Sequence, residues 1–135
     1  MVFLDSNVLV YAIDVSDKRK NEIATSIVED ALGELTGYAI AVQTLSEFVN
    51  VAIGKLKKPH SEVAEFLESY KAIPLICPDA EIVSRGLEIK NRYDIQFYDA
   101  MMLAAAERAG ATEFYTEDLN DGQLYCDIKA VNPFK

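Results

Sequence analysis

Seven consecutive residues, AMMLAAA from Ala100 to Ala106, carry no polar group on any side. A helix of that kind has no face to give to water and is buried all round. Its small residues let it approach a sheet closely. The segment is therefore buried against a sheet layer. The 135-residue chain is long enough for one domain spanning residues 1–135 with a real core.

The strands for such a layer are visible at intervals. Val2, Phe3 and Leu4 form a short apolar run, followed by YAIAV at Tyr38–Val42, Ile73–Ile76 with Pro74 marking an edge, TEFYT at Thr112–Thr116, and DIKAV at Asp127–Val131. Helical spacing fills the gaps. Asn7 is a candidate cap for a first helix and Asp17 for a second that ends near Gly33 and Gly37. Leu45, Phe48, Val49, Ala52, Ile53 and Leu56 make the stripe of a third helix, which Pro59 stops. Ser61 is placed to cap a fourth and Asp79 a fifth. Strands alternating with helices predict an α/β chain: a three-layer α/β/α sandwich on a mainly parallel sheet, with right-handed crossovers.

Charges interrupt every apolar run before membrane-spanning length. Asp5 and Asp14 lie within the first apolar stretch and no basic leader precedes it, which is not a signal-peptide pattern. Cys77 and Cys126 lack metal-type spacing and read as two small buried thiols in a reducing, cytoplasmic setting. The net charge of −9 argues against a broad electrostatic grip on nucleic acid or membrane. It leaves room for a nucleic-acid enzyme whose acids gather around cations.

Most acids belong to solvated helix faces, but four do not. Asp5 ends the first strand, Glu47 opens the third helix, Asp99 precedes the all-apolar helix, and Asp118 follows TEFYT. In a parallel sheet all four fall at the carboxyl edge, where ligands collect. Each has a bland alternative. Asp5 could cap a helix, Thr44-x-x-Glu47 fits a capping box, Asp99 could face a helix dipole, and Asp118 could belong to the turn LNDG. Gathered together they repel: a pair at ~4 Å costs on the order of 4 kcal/mol at an effective dielectric near 20. A divalent cation removes that cost. The donor set is all oxygen, His60 standing apart, which suits Mg²⁺ or Mn²⁺ rather than Zn²⁺.

The strings LDSNVLVYA, SEFVNV, FYDAMMLAAAERAGA and YTEDLNDGQ, in that order and with VNPF at the end, resemble the PIN domain nucleases, including the VapC-type toxins. The resemblance covers nearly the whole chain. It implies a parallel sheet of order 3-2-1-4-5 and a Mg²⁺- or Mn²⁺-dependent endoribonuclease that leaves a 5′-phosphate. It implies that Asp5, Glu47, Asp99 and Asp118 are the acidic quartet, catalytic and metal-holding, with Ser6, Asn7 and Thr116 as the small polar positions beside them. Glu117 and Asp121 are further acids near the fourth position. Thr116-x-Asp118 matches the family's spacing and favours Asp118 as the last ligand. Similar toxins form homodimers and receive an inhibitory antitoxin segment at the acidic pocket. The exposed apolar residues of the third and fourth helices are the expected pairing surface, because Phe66 and Tyr70 exceed what one thin layer needs.

Three basic clusters could hold RNA: Lys18, Arg19 and Lys20; Lys55, Lys57 and Lys58; and a looser set of Arg85, Lys90 and Arg92. The first opposes its helix dipole, which favours an outside use such as phosphate contact. The second satisfies a helix C-terminus. An RNA-processing nuclease without an antitoxin, or a catalytically silent RNA- or protein-binding module, uses the same fold, although a silent module would usually have lost an acid. A phosphoaspartyl enzyme is disfavoured. Asn7 stands where a dehalogenase-type phosphatase wants a second Asp, and no lysine lies between Lys90 and Lys129.

Overall fold

The computed structural model describes residues 1–33 and 37–135. Six strands, β1 (Val2–Leu4), β2 (Tyr38–Ala41), β3 (Leu75–Ile76), β4 (Glu113–Tyr115), β5 (Leu124–Tyr125) and β6 (Ile128–Val131), form one sheet. Its order is β3-β2-β1-β4-β6-β5. The five strands expected from the sequence stand in the expected order. β5 is an addition, antiparallel to β6 through Leu124↔Lys129 and Tyr125↔Ile128, while every other pairing is parallel. Both edge strands, β3 and β5, are two residues long.

Side chains alternate across each strand, so the sheet has two apolar faces. Phe3, Ala39, Phe114 and Ala130 face one core, which holds α5 (Ala80–Tyr93) and α6 (Phe97–Ala109). Leu4 and Ile40 face the other, which holds α1 (Ser6–Tyr11), α2 (Lys18–Leu32), α3 (Val42–Gly54) and α4 (His60–Tyr70). α6 lies against the sheet as its composition requires: Ala100 and Met102 to Ala106 are buried. α5 covers it. A Cβ at Gly86 would stand 2.9 Å from Met101 Cγ and 3.3 Å from Met101 Cα, so glycine sets how closely these two helices pack.

Several helix ends differ from expectation. Asp5, not Asn7, caps α1, with its carboxylate accepting from the Ser6 amide. Both residue types are good caps, and the strand ends one residue too early for Asn7 to serve. α3 begins at Val42, directly after β2, and Thr44 is an interior residue whose hydroxyl accepts from the Ala41 amide at 3.1 Å. The capping box Thr44-x-x-Glu47 is therefore absent, and Glu47 lies in the second turn of the helix. α3 ends at Gly54, well before Pro59, because Lys57 adopts φ 56° and turns the chain. Pro59 rather than Ser61 occupies the cap position of α4. Asp17 and Asp79 cap α2 and α5 as expected, accepting from Lys20 and Ile82 amides.

Three other expectations fail on burial. Cys77 is exposed beyond the short edge strand and Cys126 is half-buried in the β5–β6 turn, so neither thiol is a core residue. Tyr70 is buried: its hydroxyl donates to Leu9 O at 3.1 Å and its ring packs edge-on against Phe48. It belongs to the core between α1, α3 and α4 and is not a pairing surface.

Candidate active site

β1 delivers Asp5 to the carboxyl edge of the sheet. The Asp5 amide donates to Tyr115 O at 3.0 Å, the last rung between β1 and β4, so its side chain leaves the sheet where the pairing stops. β4 ends at Tyr115, and Thr116 and Asp118 follow in the loop. The Asp118 amide donates to the Thr116 hydroxyl at 3.1 Å, a local turn that fixes the loop. α6 contributes Asp99 from its first turn. Carboxylate oxygens of Asp5, Asp99 and Asp118 all lie within 4.8 Å of one another. A cleft of about 410 Å³ opens over Asp99 and Asp118, bounded by Ile95, Gln96 and Leu119.

The neighbours of these acids are donors. Asp5 Oδ1 accepts from the Ser6 amide at 2.7 Å, and Oδ2 accepts from Thr116 Oγ1 at 2.6 Å. The Asn7 side-chain amide lies 3.4 Å from Asp5 Oδ2 and 3.3 Å from Asp118 Oδ2, bridging the two. Asn7 Oδ1 is buried and accepts from no described group. Ser6 Oγ donates to Glu47 Oε2 at 2.8 Å, and Gln43 Nε2 donates to Glu47 Oε1 at 2.8 Å. Glu47 thus borders the three aspartates and is held by neutral donors.

Burial dominates the electrostatics. It pushes the Asp5 carboxyl up to about 7, against the lowering effect of the Thr116 and Ser6 hydrogen bonds and with added repulsion from Asp118 and Glu47. Asp99 is raised to about 6 by burial, then by Asp118 and Glu47. Asp118 is raised by burial and by Glu117, with Asn7 opposing. Carboxylates held beside one another with little water resist ionisation, and a positive charge among them would relieve that cost.

The remaining candidates point elsewhere. Glu117 accepts from Tyr11 Oη at 2.7 Å and pairs with Lys20 at 3.2 Å. Asp121 accepts from the Asn132 amide and pairs with Lys135. In the first basic cluster, Lys20 is bound to Glu117 and Tyr11, Arg19 donates to Phe134 O, and Lys18 pairs loosely with Glu22. Two of these three cations therefore fasten α2 to the acid loop and the C-terminal segment. Gln43 was not foreseen; its i, i+4 spacing to Glu47 on one helix face was the available signal.

A parallel α/β/α domain with converging carboxylates at the carboxyl edge of its central strands is the class this fold and site define. The PIN domain family model matches residues 2–121, and the chain belongs to that family. Among solved structures, it is similar to a toxin–antitoxin complex from Klebsiella pneumoniae at 17% identity, covering 98% of each chain with a TM-score of 0.70. It is also similar to Mycobacterium tuberculosis VapC20, described as a sarcin–ricin loop cleaving toxin, at 14% identity, covering 96% of this chain and 99% of that one with a TM-score of 0.69. A comparison with curated proteins returns no match. No helix among the described residues is long and apolar enough to cross a membrane.

Proposed function

We propose that the protein is a metal-dependent endoribonuclease, the toxin of a toxin–antitoxin pair, acting in the cytoplasm as a homodimer. One observation carries the reading: the oxygens of Asp5, Asp99 and Asp118 converge within 4.8 Å, with two of the carboxyls pushed up by burial and mutual charge. The donor set fits Mg²⁺ or Mn²⁺, being oxygen throughout. Asp5, Asp99 and Asp118 would hold the ion, with Glu47 at the margin. Bound there, a divalent ion supplies charge neutralisation at the phosphate and an acidified water for in-line attack.

The chain's own groups do the positioning. Thr116 and Ser6 orient Asp5, and Asn7 holds Asp118 at a fixed distance from it. Gln43 and Ser6 aim Glu47 at the cluster. The two similar structures, a toxin–antitoxin complex and a sarcin–ricin loop cleaving toxin, support an antitoxin partner and an RNA substrate. The purified chain should cut single-stranded RNA with Mg²⁺ or Mn²⁺ and stop in EDTA. Cleavage persisting in excess EDTA would sink the metal mechanism. Purification from its natural context should bring down a small protein partner, and a lone active nuclease would remove the toxin assignment.

A further inference from the structure

A second cleft, of about 150 Å³, is lined in part by Ser6 and Asn7, whose side chains also hydrogen-bond Glu47 and Asp118. Val10, Val51 and Leu56 supply apolar walls and Tyr11 an aromatic one. Asp14 and Lys55 add two opposite charges to its lining. They do not approach within the 4.0 Å of an ion pair, and among the described residues Lys55 is in none. Glu117 also lines the cleft, but its charge is met by Lys20. Asp14 is tied to Ser16, whose amide donates to Oδ1 at 3.0 Å, so the carboxylate is fixed in place.

This lining does not suit a phosphate, because Asp14 would face it. It suits a flat, uncharged ring with donors and acceptors along one edge. Single-stranded RNA is read in this way, by splayed bases placed against apolar and aromatic side chains with their edges hydrogen-bonded. A lysine ammonium donates to guanine O6 and N7, and a carboxylate accepts from the N1 and N2 hydrogens beside them. Ser6 and Asn7 form the wall shared with the acids. A base seated here is therefore next to a phosphate held at the carboxylates.

We propose that the cleft between α1 and α3 is the specificity pocket, seating a guanine base adjacent to the scissile phosphate, with Lys55 and Asp14 reading its edge. This deepens the ribonuclease reading and rests on it. Lys55 also stands at the C-terminus of α3, where a cation interacts favourably with the dipole. That role changes stability and is indifferent to which base is present.

The test is amide chemical-shift mapping of the ¹⁵N-labelled chain in Mg²⁺, titrated with each of the four nucleoside 5′-monophosphates and with ribose 5-phosphate. Guanosine monophosphate should shift Val10, Tyr11, Lys55 and Leu56. The other bases should bind about tenfold more weakly at these amides, and ribose 5-phosphate should leave them unmoved. Lys55→Met and Asp14→Asn, each confirmed folded by its spectrum, should abolish the guanine preference. Equal shifts with ribose 5-phosphate would make the cleft a phosphate seat and overturn the proposal. Equal shifts with all four bases, or none, would overturn it too. No cleavage enters this readout. Selective guanine binding in a chain that cuts no RNA would fail the nuclease reading, whereas RNA cutting without these shifts would fail the pocket.

Discussion

The Thr116 hydroxyl donates to Asp5 Oδ2 at 2.6 Å, joining two buried residues that each directly follow one of two neighbouring strands, β4 and β1. The same oxygen accepts from the Asp118 amide, so one hydroxyl sets the spacing of two acids. Thr116→Val keeps the shape and removes the donor. It should cost on the order of 1–3 kcal/mol in a metal-free melt at neutral pH, because a buried carboxylate loses its partner. Thr116→Ser should recover most of the loss. Equal melting of the parent and Thr116→Val would show that the bond contributes nothing.

Asp99 separates a cation site from a helix-end acid. Without metal, Asp99→Asn removes one of three repelling charges and should melt no lower than the parent. An acid serving only the α6 dipole would instead be missed by a few tenths to about 1 kcal/mol. With Mg²⁺ at ten times its dissociation constant the parent should gain roughly 1.4 kcal/mol. The variant should lose most of that gain and its RNA cleavage together. A full Mg²⁺ shift with normal cleavage in Asp99→Asn would reduce Asp99 to a capping residue.

The pH dependence of the metal-free protein follows from Asp5 and Asp99, whose carboxyls rise from 3.8 to about 7 and about 6 in the folded chain. The folded state then binds protons more tightly than the unfolded one. The stability these two groups confer is complete below pH 4 and lost as pH rises through 6 to 7. Melts in EDTA should show this decline, and Mg²⁺ should remove it at pH 7. A metal-free protein whose stability climbs steadily from pH 4 to 7 would contradict it.

Glu117 and Asp118 are adjacent, and only the second faces the other acids. Glu117→Gln should leave the Mg²⁺-induced shift in place, while Asp118→Asn should lose most of it. A paired thermal-shift series reads both. Loss of the shift in Glu117→Gln alone would reassign the last ligand.

Gly86 lies under Met101, with 2.9 Å available where a methyl would go. Gly86→Ala gains helix propensity but crowds the backbone of α6, for a net loss on the order of 1–2 kcal/mol. Because α6 carries Asp99, Mg²⁺ affinity measured by calorimetry should fall as well. A variant as stable as the parent would mean that the helices separate without cost.

The layers were legible because period-2 and period-3.6 patterns extend over whole elements. Short-range competition was not. Asp5 and Asn7 are both good caps, and only the end of β1 chooses between them. Val42 is β-branched and reads as strand, yet it opens α3 and so carries Glu47 a turn deeper than its spacing from the strand suggested. β5 has two residues, too few for any alternation to register. The convergence of Asp5, Asp99 and Asp118 was legible because position in a parallel sheet is a consequence of order along the chain. Their neighbours were harder: Lys20 looked unused until Glu117, from the far end of the sequence, arrived beside it.

The sheet closes at each side with a two-residue strand, β3 behind Pro74 and β5 turned antiparallel. An incoming extended segment finds almost no backbone ladder to continue on either flank. Recruitment of other chains by strand addition is thereby discouraged, and so is templated fibre growth in a cell that accumulates the protein. Association is left to the helical faces, where side-chain shape and charge rather than open amides decide what is accepted.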